Sequence, residues 1–307
     1  MTTWLFTHPA CLTHEMGPHH PESPDRLRAI LAALQAAEFA PLVRQEAPAA
    51  TVDALAFVHD RGFVEAVLAA IPSSGIVALD PDTSVSSGSG EAALRAAGAV
   101  VAAVDAVLGG AADNAFCAVR PPGHHAEANA AMGFCLFNNV AVAAEHACRQ
   151  HGLRRVAVMD FDVHHGNGTQ HMFESDGDLF YASTHQSPLY PGTGDAAERG
   201  VGNICNAPLP PGAGSAEFRA AMSDIVLPAL DRFAPELLLI SAGFDAHHAD
   251  PLANLELETA DFAWATTMLR GVADRHCRGR LVSTLEGGYD LGALAASAAA
   301  HVRALMA

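Results

Sequence analysis

The sequence predicts an α/β protein: a three-layer α/β/α arrangement around a mainly parallel sheet of about eight strands, with residues 1–307 forming one domain. Three observations predict it. Short apolar, β-branched runs alternate with Ala/Leu-rich stretches of helical spacing along the chain. No linker, repeat or low-complexity tract divides them. Four of the strand candidates end in polar or histidine-rich loops, and sites in parallel α/β sheets lie beyond the C-terminal strand ends.

The strand candidates are Trp4–His8, Ala115–Arg120, Val156–Asp162, Leu179–His185, Ile204–Leu209, Leu237–Gly243 and Leu281–Glu286, with Pro41–Ala47 a weaker eighth. The clearest helix starts at Ser23-Pro24-Asp25, an N-cap followed by proline at the first helical position and an acid in the first turn. It continues through Leu27, Ile30, Leu31 and Leu34. Further helices are expected near 89–109, 138–151, 215–233 and 258–277. The Pro/Gly-rich pieces 72–90 and 186–214 read as long functional loops.

Composition bounds the function. Half of the residues are hydrophobic and the mean hydropathy is +0.18, ample for a large core. Seventeen basic against 34 acidic residues give a net charge of -17, which repels nucleic acid and anionic membranes. Such a surface attracts a cationic substrate, such as lysine-rich protein or a polyamine, or serves solubility alone. Six scattered cysteines without a C-x-x-C read as reduced, mostly buried thiols. No signal peptide is apparent, and Arg95 and Asp105 interrupt the longest apolar stretch, so a cytoplasmic location is expected.

The chemistry concentrates in Asp160-Phe161-Asp162-Val163-His164-His165-Gly166-Asn167-Gly168, which follows the apolar run Arg155–Met159. Side chains two apart on an extended segment point the same way, so Asp160, Asp162 and His164 should converge at a strand end, with the glycines marking a tight loop. Carboxylate and imidazole together suit a divalent metal, typically zinc. Asp245, in Ser241–His248, can be a third ligand; two carboxylates and one histidine leave positions open for water and substrate. His247 and His248 read as loop histidines. His124 and His125 follow a Pro-Pro-Gly turn; paired imidazoles suit general base and acid work, metal ligation or loop capping. In Glu286-Gly287-Gly288-Tyr289 the glycines allow close backbone approach, and the tyrosine hydroxyl can stabilise an oxyanion or simply occupy a turn.

Together these fragments resemble the histone deacetylase family, with its relatives the acetylpolyamine amidohydrolases and acetoin-utilisation proteins. The resemblance runs in order through Gly17–Leu27, RPPGHHA, Gly133–Ala141, DFDVHHGNGTQ, Ser183–Gly194, SAGFD and LEGGY, nearly the whole chain. It implies one zinc held by Asp162, His164 and Asp245, with His124 and His125 as the active-site pair and His125 the base and acid. It implies that Tyr289 polarises the acyl carbonyl and that Asp160 and Asn167 are the partners of His124 and His125. Many members carry aspartate at the second position; Asn167 is similar to class II enzymes. It further implies a structural potassium at Asp160, Asp162, His164, Ser183 and Thr184, partly through backbone carbonyls. Phe134 and Tyr190 would wall the acyl-lysine tunnel, Gly133 would line its floor, and Cys135 would be a wall residue.

The expected reaction is hydrolysis of an acylated amine by metal-activated water, without a covalent intermediate. The expected partner is acyl-lysine in protein, or a small acetylated amine such as an acetylpolyamine. Leu252, seven residues past Asp245, stands where polyamine-selective relatives carry glutamate, which favours acyl-lysine. An inactive acyl-lysine-binding module is the weaker alternative, because no expected ligand nor the tyrosine is missing. An arginase-like ureohydrolase would want a two-metal set richer in aspartate.

Overall fold

A computed structural model describes residues 1–307. Its ten strands are β1 (Thr3–Thr7), β2 (Val43–Glu46), β3 (Ile76–Ala78), β4 (Ser84–Ser86), β5 (Asn114–Cys117), β6 (Val156–Asp160), β7 (Leu179–Gln186), β8 (Ile204–Leu209), β9 (Leu237–Ala242) and β10 (Leu281–Leu285). Eight of them form one sheet in the order β2-β1-β5-β10-β9-β6-β7-β8, and every pairing is parallel. Strands β5, β6, β9 and β10 are buried at every position, as expected of strands covered on both faces.

The helices are α1 (Pro24–Ala33), α2 (Val52–Leu55), α3 (Arg61–Ala69), α4 (Ser89–Leu108), α5 (Asn139–His151), α6 (Asn167–Phe173), α7 (Ser215–Ala221), α8 (Leu227–Phe233), α9 (Thr259–His276) and α10 (Leu291–Met306). Helix α10 packs against both α1 and α9, and α4 packs on α5. One apolar core runs through the sheet and its helices, from Leu5 on the first strand to Leu305 on the last helix.

Local chemistry explains several boundaries. Ser23 precedes Pro24 at the start of α1, although its side chain makes no capping hydrogen bond. Asn138 caps α5, accepting from the Ala141 N–H at 3.1 Å. Gly152 ends that helix in the left-handed conformation, at φ 71°.

The structure differs from the sequence reading in several places. Strand β6 stops at Asp160 rather than Asp162, because the Asp162 N–H turns back onto Asp160 Oδ1 at 3.1 Å. Of the glycines after His165, Gly166 lies in the tight loop as expected, but Gly168 lies inside α6, where a Cβ would come 2.1 Å from the Ala126 carbonyl, so glycine there permits close packing. The helix expected over 215–233 is interrupted at Met222–Val226 by a π-helical turn. Pro228 follows directly, lacks an N–H and disfavours a regular ladder upstream; Leu227 N–H instead reaches back five residues to the Met222 carbonyl. The 72–90 segment holds a small antiparallel hairpin of β3 and β4 outside the main sheet. Helices α3 and α10 have no counterpart in the sequence reading; α10 is rich in alanine, whereas α3 is short and buries Val64 and Val67 on one face.

Candidate active site

Four adjacent central strands, β5-β10-β9-β6, end in the four polar loops singled out from sequence. Their parallel direction puts all four loops at one edge of the sheet. This is why residues up to 165 positions apart, His124 and Tyr289 among them, share one site.

Asp162, His164 and Asp245 converge there. Their ligand atoms lie within 4.8 Å of one another, and all three residues are buried. His164 Nδ1 sits 3.1 Å from Asp162 Oδ1 and 3.2 Å from Asp245 Oδ2. Backbone amides orient the carboxylates: Gly287 N–H donates to Asp162 Oδ2 at 2.8 Å, and Val163 N–H to Asp245 Oδ1 at 2.9 Å. Glycines make room for them. A Cβ on Gly287 would fall 1.9 Å from Asp245 Oδ2, and one on Gly243 2.0 Å from Asp162 Oδ2.

The electrostatics of this triad call for positive charge. Burial pushes the Asp245 carboxyl up, and repulsion from Asp162 adds to it, to about 7. Burial opposes charge on His164, but Asp162 and Asp245 outweigh it and lift the imidazole to about 10. Two buried carboxylates beside an imidazole suit a divalent cation, which would replace that proton and relieve the repulsion.

His124 and His125 lie side by side, their rings tilted at 45° with centroids 4.0 Å apart. Glu286 pins their loop: it accepts from the Gly123 N–H at 2.7 Å and the His124 N–H at 3.1 Å. The two imidazoles have different partners. His124 Nδ1 meets Asp160 Oδ2 at 2.9 Å, and His125 Nδ1 meets Asn167 Oδ1 at 2.8 Å. Burial disfavours charge on both. For His124 the carboxylates of Asp160 and Asp162 prevail and raise its pKa to about 10. For His125 the neighbouring His124 and His164 add to burial and push its pKa well below the usual imidazole range. One histidine is thus held protonated and its neighbour neutral.

A cavity of about 240 Å³ opens onto this centre, lined by His125, Gly133, Phe134, His164, Tyr190, Leu252 and Tyr289 together with Asp82 and Leu189. Gly133 needs both its φ of +57° and its missing side chain, since a Cβ would lie 2.4 Å from His125 Cδ2. Phe134 and Tyr289 pack edge to face, 5.9 Å between centroids. Burial raises the Tyr289 hydroxyl well above its ordinary pKa, against the attraction of Arg26, so it remains a donor. Cys135 is buried behind the Gly133–Phe134 turn, its thiol donating to the Gly133 carbonyl at 3.3 Å, and does not line the cavity.

Asp160, Asp162, His164, Ser183 and Thr184 gather where β6 and β7 end side by side, with Asp160 paired to Ser183. Thr184 Oγ1 is buried without a hydrogen-bond partner. His247 and His248 stand apart from the triad, His247 beside Thr259 and His248 beside Glu258.

Sequence reasoning missed three contributors. Arg26 donates to the Gly288 carbonyl at 2.6 Å and to the Glu286 carbonyl, and its guanidinium lies 4.8 Å over the Tyr289 ring. Glu22 pairs with Arg26 and with Arg120, all fully buried. Asp82 anchors the cavity mouth, its Oδ1 accepting from the Gly133 N–H at 3.0 Å. Glu22, Arg26 and Arg120 lie within quoted motifs, but nothing in the sequence marked these charges as buried. Asp82 lies on a hairpin that no periodicity announced.

Residues 20–305 match the family model described as the histone deacetylase domain. The chain belongs to the histone deacetylase family. A histone deacetylase-like amidohydrolase of Pseudomonas aeruginosa is 43% identical over 94% of this chain and 82% of its own length. Histone deacetylase 14, chloroplastic, of Arabidopsis thaliana is 40% identical over 98% of this chain and 76% of its own. Among solved structures, the HDA15 HD domain superposes with a TM-score of 0.92 at 37% identity, covering 99% of this chain and 88% of that one. The family supports a deacetylase or amidohydrolase activity on acetylated substrates, and family members are typically metal-dependent. No helix is long and apolar enough to cross a membrane.

Proposed function

We propose that the chain is a zinc-dependent amidohydrolase that removes acetyl or other acyl groups from the side-chain amine of acyl-lysine, with residues 1–307 acting as one catalytic unit. The observation that carries this reading is the opening of one cavity onto His164, His125 and Tyr289 together. Asp162, His164 and Asp245 would hold one zinc ion. When bound, zinc supplies Lewis acidity toward the amide carbonyl and lowers the pKa of a bound water.

The chain's own groups do the rest. Asn167 accepts the Nδ1 proton of His125, which leaves Nε2 as the free base. Nε2 takes a proton from the attacking water, and that proton passes to the leaving amine as the amide C–N bond breaks. The products are a carboxylate and the free amine. His124, held protonated by Asp160, keeps positive charge beside the developing oxyanion, and the Tyr289 hydroxyl donates a hydrogen bond to it. No serine or cysteine nucleophile is required.

Phe134 and Tyr190 give an aliphatic acyl-lysine stem two aromatic walls, and Leu252 gives it an apolar rim. Asp82 favours a second reading, a small acetylated amine such as an acetylpolyamine, because it places a carboxylate at the mouth. Its Oδ1 is already engaged by Gly133 and by the Thr83 hydroxyl at 2.7 Å, which weakens it as an ammonium partner. A structural potassium at Asp160, Asp162, His164, Ser183 and Thr184 would satisfy the orphaned Thr184 hydroxyl region and the buried Asp160 charge. Five cysteines are buried and none is bonded, which suits a reducing compartment such as the cytoplasm.

Two measurements test the proposal. Turnover should vanish with a strong chelator and return with zinc or cobalt, and full turnover in a metal-free preparation would overturn it. The kcat/KM ratio should favour an acetyl-lysine peptide over N8-acetylspermidine, and Leu252→Glu should move it toward the polyamine. A wild-type ratio favouring the polyamine would transfer the assignment to the second reading.

A further inference from the structure

Helices α4 and α5 pack on each other and both end at one surface, where they bring together Asp105, His146 and His151. Asp105 lies in the last turn of α4; His146 lies on α5, and His151 is its final residue. His146 Nε2 and His151 Nε2 each lie 2.7 Å from the same oxygen, Asp105 Oδ1. The two imidazole rings are 5.6 Å apart. All three ligand atoms fall within 4.8 Å of one another.

We propose that Asp105, His146 and His151 form a second, peripheral site for a divalent transition ion of the zinc class. The argument rests on convergence. A divalent ion takes nitrogen and oxygen ligands at about 2.0–2.2 Å, so its ligand atoms stand about 3–4 Å apart. Small rotations of the two exposed side chains meet that spacing. Each imidazole aims the same nitrogen at one point; loss of the two Nε2 protons leaves two lone pairs and a carboxylate directed there. Two imidazoles and one carboxylate select zinc, nickel or copper over calcium or magnesium.

The setting favours a cation independently of the side chains. The C-terminal ends of α4 and α5 carry partial negative charge, and Asp105 adds a full one. An acid in the last turn of a helix is unfavourable unless a cation answers it. The remaining coordination positions face a groove of about 620 Å³ that Asp105, His146 and His151 line together with Asp53, Phe57 and Gln150. The site is therefore open to water or to an incoming carboxylate or imidazole.

It is separate from the catalytic centre. The other end of α5 serves that centre, with Asn139 Nδ2 donating to the Pro121 carbonyl at 3.1 Å. Thirteen residues of helix put about 18 Å between the two ends. A metal here would clamp two helix ends and leave the catalytic loops untouched.

The test is equilibrium dialysis of the intact chain against zinc buffered in the micromolar range, with bound metal read by elemental analysis. His146→Ala/His151→Ala should carry one zinc per chain fewer than the parent, with turnover unchanged. Asp162→Ala/His164→Ala should keep the equivalent that the first variant loses. The difference between parent and first variant thus reads the peripheral site alone, whatever the catalytic centre binds. Asp105→Asn, which keeps the side chain's size, should weaken the same equivalent. Equal zinc content in the parent and His146→Ala/His151→Ala would overturn the proposal.

Discussion

Gly287→Ala is the most discriminating substitution in this site, because it replaces none of the proposed ligands or proton-transfer groups and acts on them only through space. Gly287 does not occupy the left-handed region, so alanine brings no backbone strain there. The effect is one of space. The added Cβ would lie 1.9 Å from Asp245 Oδ2 and 2.6 Å from Asp162 Oδ2, both far inside the 3.0 Å that real Cβ atoms keep. Neither carboxylate can swing freely, since Val163 N–H holds the first and Gly287 N–H the second. One oxygen must retreat by more than about 1 Å, and a displacement of that size at a reacting centre costs about 10²-fold in rate. Overpacking adds a stability loss of about 1–3 kcal/mol. The assay is kcat/KM on an acetyl-lysine peptide, with zinc content and urea unfolding measured on the same preparation. Gly62→Ala is the control: it lies in α3 with nothing within 4 Å of the new Cβ, and should leave activity intact. Activity of Gly287→Ala within twofold of the parent would show that Asp162 and Asp245 do not form the catalytic metal site.

Three further outcomes follow from the same geometry. Tyr289→Phe removes the proposed oxyanion donor and keeps the ring, so kcat should fall about 10²–10³-fold while KM changes little, by steady-state kinetics; unchanged kcat would remove the hydroxyl from the reaction. Asn167→Asp places a carboxylate 2.8 Å from His125 Nδ1, which should raise that imidazole's pKa and move the acid limb of the pH–rate profile up by about 1 unit or more; an unmoved limb would mean that His125 is not the base. His301 is buried against Phe116, Phe161 and Phe244, and burial pushes its pKa down to about 3. The unfolded chain therefore binds this proton more readily than the folded one: stability is full above pH 6.5 and is lost as pH falls toward 3. Between pH 7 and 5 this group should cost about 2 kcal/mol, and His301→Gln should flatten the urea-unfolding difference by that amount; an identical pH dependence would refute it.

Strands announced themselves through continuous apolar runs, and the loops that follow them through charge placed where a core strand should have ended. Asp162, His164 and Asp245 were legible for that reason: charge at the edge of a buried run needs a partner. Tyr289 and Gly287 were legible through the double glycine. Less visible were residues whose role depends on meeting a distant backbone. Arg26 works by donating to the Gly288 and Glu286 carbonyls, more than 250 residues away, and nothing in its own neighbourhood specifies them. Glu286 acts likewise on the Gly123 and His124 amides. Helix α10 escaped because alanine satisfies a tight helix–helix seam without apolar periodicity. Helix α6 escaped because Gly168 signals a turn in sequence but serves close packing in space.

The β3–β4 hairpin divides the labour of the site. In the proposed reading, chemistry is rooted at the ends of four central strands whose side chains are buried, so a change there disturbs charges that have no route to water. The hairpin lies outside that sheet, and all three residues of β3 are exposed. Substitutions at such positions usually change stability by no more than about 0.5 kcal/mol. Yet the turn it forms delivers Asp82 and Thr83 to the cavity mouth, where they hold the Gly133 and Phe134 amides. The preference for one acylated amine over another can therefore drift through an appendage while the hydrolytic machinery stays fixed. A library randomised over residues 76–82, short of the buried Thr83, Val85 and Ser86, is the economical place to look for new substrates.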